Sequence, residues 1–210
     1  QGAEFVETSR VEERFDALPG VELASASLLF EFFTSPHGAC SLTPILERNV
    51  QLVLMGPGPP EIVERLHTIE QTFVGCCRVI EGYDVGTAHT LLAGADILLL
   101  PGHYHATNAL AAIALRYGVV PMAYAHSGLE DTLVDLTASP KKGTSILFER
   151  YDSSALVEAV DQARAIYKKA ADWKVILKRC MDQDFSWAET GREYMKAYRK
   201  LGRVIKANKP

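Results

Sequence analysis

The sequence predicts an α/β fold: an open parallel sheet with helices on both faces, forming a single Rossmann-like unit followed by C-terminal helices. Three observations carry this. Short apolar runs without polar alternation, such as Ile97-Leu98-Leu99-Leu100, are typical of strands covered on both faces. Such runs alternate with segments of helical periodicity from Gln51 to Lys169, which is the pattern of βαβ units. No repeat or low-complexity tract interrupts the alternation.

Taken in order, residues 1–22 read as a charged, weakly patterned arm or connector, 23–202 as the Rossmann-like domain and 203–210 as a tail. Val21 to Thr34 has room for one strand around the apolar run Ala24 to Phe30, and Leu42 to Glu47 suits a short helix ending at Asn49. Gln51 to Met55 is a strand. Pro60 can occupy the first position of the helix Glu61 to Phe73, where its missing N–H costs nothing and Glu61 complements the helix dipole. Cys77 to Ile80 is a strand and Thr87 to Ala93 a short helix. Asp96 to Leu100 is the buried strand, ended by Pro101-Gly102. Asn108 is an N-cap for a helix over Ala109 to Tyr117, with Gly118 as its C′ residue. Val119 to Tyr124 and Ser145 to Phe148 are further strands. Ser153 or Ser154 caps a helix reaching Lys169, and Trp173 to Cys180 is another. Ser186-Trp187-Ala188-Glu189 is a capping box opening a last helix to about Leu201, with Tyr194, Ala197, Tyr198 and Leu201 on one apolar face.

Bulk properties exclude several classes. A net charge of -4 over 210 residues supplies no basic face for nucleic acid. The most basic stretch, Lys168 to Arg179, is broken by Asp172 and Trp173 and reads as one solvated helix face. The four cysteines form no CxxC pair, so free thiols are expected. No run reaches the ~18 apolar residues of a membrane span. The first residues do not resemble a signal peptide, and the chain begins at Gln1, so a precursor start or transit peptide is left open. Gly56-Pro57-Gly58-Pro59-Pro60 suggests a dinucleotide fingerprint but has Glu61 where the third glycine belongs, so no NAD cofactor is assigned.

In open parallel sheets the loops at the carboxyl ends of strands line the ligand crevice. A small-molecule site should therefore involve His103 to Asn108 and His126 to Gly128. The motifs in and around these loops are Gly82-Tyr83-Asp84, Ala88-His89, Ala93-Gly94-Ala95-Asp96, Leu100-Pro101, Arg116-Tyr117-Gly118, Pro121, Gly128-Leu129 and Asp131-Thr132, with Gln51 to Gly58 before them and Phe185-Ser186-Trp187 after. In order and spacing, from roughly Ala24 to Leu201, they resemble the nucleotide-sugar-binding half of the bacterial glycogen synthase and plant starch synthase family. Those are retaining glucosyltransferases built from two Rossmann-like halves, the GT-B fold. The resemblance implies a nucleotide-sugar site of Gly56, Gly58, Tyr83, His105, Asn108, Ser127 and Gly128. Gly56 and Gly58 would lie near the phosphates. Tyr83 would stack on the adenine of ADP-glucose, or simply fill a strand end. The last helix would cross to a partner domain, or close this one.

Set against the family's chemistry, the chain is short of charge. Glucosyl transfer needs cations on the leaving diphosphate. The family supplies an arginine and a lysine in an R-x-x-x-Q-K-G loop after the first strand. Counting back from Gln51, those slots fall on Leu28 and Phe33, and no Lys or Arg occurs between Ser25 and Thr43. The family's F-E-P-C-G-L-T-Q loop is Tyr104 to Ala111 here, with His105 in the glutamate slot, Thr107 in the cysteine slot and Leu110 in the threonine slot. His103 stands in the preceding arginine slot, and a T-G-G turn has become His126-Ser127-Gly128.

The resulting expectation is a synthase-like domain without catalytic residues, acting as a structural or interaction subunit of a larger assembly. Its partners would be other protein chains, with ADP-glucose or glucan as retained ligands. One alternative is an active ADP-glucose:glucan glucosyltransferase whose cations come from elsewhere. Another is a non-catalytic glucan-binding module using Tyr104, Tyr124 or Trp187. His103, His105 and His126 could hold zinc only with a fourth ligand that the sequence does not offer, so no metal is assigned. The resemblance to plant enzymes implies the plastid stroma, and the bacterial members the cytoplasm.

Overall fold

Six parallel strands hydrogen-bond in the order β3-β2-β1-β4-β5-β6 in the computed structural model, which describes residues 21–26, 42–102, 109–126 and 128–207. The strands are β1 (Val21–Ala26), β2 (Val50–Gly56), β3 (Cys77–Glu81), β4 (Ile97–Leu100), β5 (Val120–Tyr124) and β6 (Ile146–Phe148). The chain builds outward from β1 to β3, then returns to lay β4 on the other side of β1, so Ala24 pairs with both Val53 and Leu98. This reversal between β1 and β4 is a topological switch point.

The helices between strands are α1 (Leu42–Leu46), α2 (Pro60–Thr72), α3 (Val85–Gly94), α4 (Ala109–Tyr117) and α5 (Leu129–Thr132). After β6 come α6 (Ser153–Tyr167), α7 (Ala170–Met181) and α8 (Trp187–Ala207). The α/β architecture is the one expected, and its core lies where the apolar runs put it. All four residues of β4 are at most 1% exposed, because helices cover both faces of the sheet centre. Ala111, Ala114 and Leu115 seat α4; Leu156, Ala159, Val160 and Ala163 seat α6; Trp173, Ile176 and Cys180 seat α7. Gly118 closes α4 in the left-handed region (φ 75°), with its N–H on Leu115 O and that of Val119 on Ala114 O.

Several boundaries differ from the sequence expectation. β1 starts at Val21, ahead of the apolar run, because its parallel register with β2 aligns Val21 with Val50. α3 starts at Val85 rather than Thr87: Asp84 caps it, accepting the Thr87 N–H at 2.6 Å. The cap of α6 is Asp152, not a serine. Its Oδ1 accepts from the Ala155 N–H at 2.8 Å and from the Ser154 hydroxyl at 2.6 Å. α7 begins at Ala170, since the two alanines and Asp172 ahead of Trp173 favour the first turn. α8 runs on to Ala207. It does not close the domain: Trp187, Tyr194, Tyr198 and Leu201 are 57–84% exposed.

Candidate functional site

The crevice of such a sheet lies outside the carboxyl ends of the strands flanking the switch point, here β1 and β4. Gly56 ends β2, and its carbonyl accepts the Gly82 N–H at 3.0 Å. That bond ties the glycine–proline turn containing half-buried Gly58 to the loop carrying Tyr83. Tyr83 is 56% exposed, between Gly82 at φ 80° and the capping Asp84, in the loop that leaves the carboxyl end of β3. Gly128 lies across the switch point, after β5, at the N-cap of α5. Its φ of 80° is one that a side chain resists, which accounts for glycine there. The topology thus assembles Gly56, Gly58 and Tyr83 on one side and Gly128 on the other. His105, Asn108 and Ser127 lie outside the described residues, as do Leu28, Phe33, His103, Tyr104 and Thr107. α4 does begin at Ala109, the residue after the expected cap. Among the described residues, no three His, Cys, Asp or Glu side chains gather where a metal could bind.

Electrostatics separates this edge from the rest of the domain. The segments leaving the carboxyl ends of β1 to β5 are residues 27–41, 57–59, 82–84, 101–108 and 125–128, and none contains Lys or Arg. The first turns of α2, α3 and α5 add none, while Glu61, Glu130 and Asp131 stand there. The one Lys or Arg in a segment leaving a carboxyl end is Arg150, after β6. Strands sit about 4.8 Å apart, so Arg150 starts two strand widths, roughly 10 Å, from β4. Its guanidinium is already engaged, with Nη2 3.1 Å from Glu158 and Nε 3.2 Å from Asp152. These bonds, chiefly that to Glu158, hold its pKa above the usual arginine value. The carboxyl of Asp152 is held below the ordinary range, first by the Ser154 hydroxyl and then by the Ala155 N–H. The Thr87 N–H does the same for Asp84.

A sequence reading missed two features. One is Arg150; a basic residue two places after a strand was the signal. The other is an aromatic group at the ends of β5 and β6. Tyr124 lies 5.0 Å from Tyr151, 5.9 Å from Phe148 and 5.7 Å from His126, ring centroid to centroid. Tyr124 had been singled out, but its neighbours are set by parallel pairing of Tyr124 with Phe148. A groove lined by Arg116, Met181, Asp184 and Phe185 lies at the amino edge, on the far side of the sheet from this site.

No family model matches the chain. Curated glycogen synthases do. That of Syntrophotalea carbinolica is 34% identical over 156 residues, 74% of this chain and 32% of that protein. That of Rhodopseudomonas palustris is 34% identical over 164 residues, 77% of this chain and 34% of that protein. The chain belongs to the glycogen and starch synthase family. It spans about a third of the length of the curated relatives it matches.

Among solved structures, the catalytic domain of starch synthase IV from Arabidopsis thaliana, bound to ADP and acarbose, superposes with a TM-score of 0.76 at 22% identity, covering 92% of this chain and 41% of that one. Anabaena HepE in complex with UDP and glucose gives 0.63 at 12% identity, over 91% of this chain and 51% of that one. At such identities these similarities establish the fold: a Rossmann-like half of the GT-B architecture.

Proposed function

We propose that this synthase-like domain does not transfer glucose and serves instead as a structural or interaction subunit of a larger assembly. The observation that carries the reading is the charge of the carboxyl edge. No Lys or Arg occurs in the segments leaving the ends of β1 to β5, and Arg150 beyond them is engaged by two carboxylates. A leaving diphosphate needs preorganised cations, and loss of a single such donor typically costs about 10²–10³ in rate. Losing all of them removes the stabilisation altogether. The apolar framework, by contrast, is intact. A domain whose packing persists without its electrostatics is suited to holding other chains, and the exposed face of α8 provides a surface for it. Resemblance to plant starch synthases makes the plastid stroma the compartment we assign to that assembly.

Incorporation of radiolabelled glucose from ADP-glucose into glycogen by the full-length protein tests the proposal. No incorporation above a no-enzyme control is expected. Turnover would overturn it and support the second reading, an active glucosyltransferase with cations supplied by another segment or chain.

A further inference from the structure

We propose that His67 is a pH-operated latch on the Tyr83 turn: its imidazolium clasps Glu81 at the end of β3, and loss of a proton to solvent lets Glu81 go. The inference rests on hydrogen-bond geometry and stands whether or not the crevice takes up a ligand.

The clasp follows from where the sequence puts three side chains. His67 and Glu70 are three residues apart on α2, so they meet on one face, with Nδ1 2.8 Å from Glu70 Oε2. α2 packs on β3, whose last residue, Glu81, brings its Oε1 to 2.8 Å from Nε2. Glu81 is aligned with Gly56 across the sheet. The latch therefore sits where the glycine–proline turn and the Gly82-Tyr83-Asp84 turn both leave their strands. Both ring nitrogens face carboxylates. An ionised carboxylate only accepts, and a neutral imidazole has a single N–H to donate. Two such contacts at once need the imidazolium.

Deprotonation leaves one N–H for two acids and turns the lone pair of the other nitrogen toward an oxygen, so one contact must open. Glu70 is the better held. Its Oε1 accepts from Arg78 Nη1 at 2.9 Å and from the Val79 N–H at 3.3 Å, and its side chain is 17% exposed. The Glu81 side chain is 64% exposed and exchanges the ring for water at little cost. Glu81 is thus the arm that opens. Glu70 and Glu81 are the charges acting on the ring, with Arg78 behind Glu70. The thiol of Cys77, also on β3, is pushed up to about 12 by burial and keeps its proton. Opening frees the residue from which the Tyr83 turn starts. That turn is then held by the Gly82 N–H on Gly56 O at 3.0 Å and by the Asp84 cap. A rise in pH loosens this border of the crevice and a fall fastens it.

Amide hydrogen exchange of the intact chain tests this, followed by mass spectrometry from about pH 5.5 to about pH 9.5 and corrected for intrinsic exchange. Protection over residues 81–85 should fall by about two- to fivefold as pH rises, the scale of one exposed ion pair, while α6 is unchanged. Glu81→Gln should keep its protection at every pH, because a carboxamide accepts from the charged ring and donates to the neutral one. His67→Ala should exchange at the fast rate throughout. A wild type without pH dependence overturns the proposal, as does a pH step that His67→Ala retains. So does a Glu81→Gln variant that loosens like wild type. Loss of protection at Val79 rather than over residues 81–85 would make Glu70 the arm that opens, and overturns it too.

Discussion

The two edges of the sheet use cations differently. At the amino edge, arginines hold backbone. Arg48 donates to Pro44 O at 2.6 Å and to Asp161 at 2.9 Å, Arg116 to Met181 O at 3.0 Å, and Arg179 to Gly143 O at 2.6 Å. At the carboxyl edge, where this fold binds its ligands, Arg150 is the cation, and two acids occupy it. The difference is one of use: among the described residues, positive charge at the amino edge caps carbonyls and fastens helices, while at the carboxyl edge it is confined to Arg150 and its carboxylates.

The comparison can be broken most forcefully at Gly143, whose backbone is the anchor for Arg179. An added Cβ would sit 2.5 Å from Leu136 Cα, a clash with backbone that cannot rotate away. Gly143→Ala should destabilise by about 3 kcal/mol, read from the urea midpoint, since overpacking against fixed backbone typically costs 1–3 kcal/mol or more. Arg179→Met removes the donor to Gly143 O and Pro140 O and should lose about 2 kcal/mol, the scale of charged hydrogen bonds. A midpoint unchanged in Arg179→Met would show that this arginine does not hold the backbone, and one unchanged in Gly143→Ala that the turn yields at Leu136.

A smaller effect concerns His67, which bridges α2 and the end of β3. Its Nδ1 lies 2.8 Å from Glu70 and its Nε2 2.8 Å from Glu81, and the bond to Glu81 leads in raising its pKa above 6.5. Burial pushes Glu70 up, but hydrogen bonds from His67 and the Val79 N–H outweigh it, leaving the carboxyl below 4.5. A raised imidazole stabilises the fold fully below its unfolded pKa and loses that contribution as pH rises through the folded one. A lowered carboxyl stabilises above its unfolded pKa and loses the contribution as pH falls through the folded value. Both contributions are therefore present together between about pH 4.5 and 6.5. Stability of His67→Gln relative to wild type should be lowest there and converge on wild type as pH rises through the raised imidazole value. A pH-independent difference would contradict this. The smallest effect is expected at the exposed Arg150. Arg150→Gln should leave the urea midpoint and any nucleotide heat unchanged; a lost nucleotide heat would give that residue a ligand role.

Much of this was legible beforehand. The continuous apolar run of β4 and the C′ glycine that ends α4 have local causes, so sequence alone located them. β1 lies inside the window the sequence allowed, Val21 to Thr34, but its start at Val21 depends on register with β2, a long-range property. Asp84 was passed over as a cap, and at α6 Ser153 and Ser154 compete with Asp152 on the same local pattern. Exposure of α8 could not be read at all, since an apolar face looks the same whether or not a partner covers it. At the site, the scarcity of Lys and Arg in the strand-end segments was a matter of counting residues, whereas the place of Arg150 and its carboxylate partners required the order of the strands.

Titration calorimetry of the chain with ADP, at low and then physiological salt, tests the electrostatic claim most directly. The account predicts no saturable heat up to millimolar ADP in either condition. Saturable binding at micromolar ADP that weakens steeply with salt would reveal cations at the carboxyl edge and contradict it.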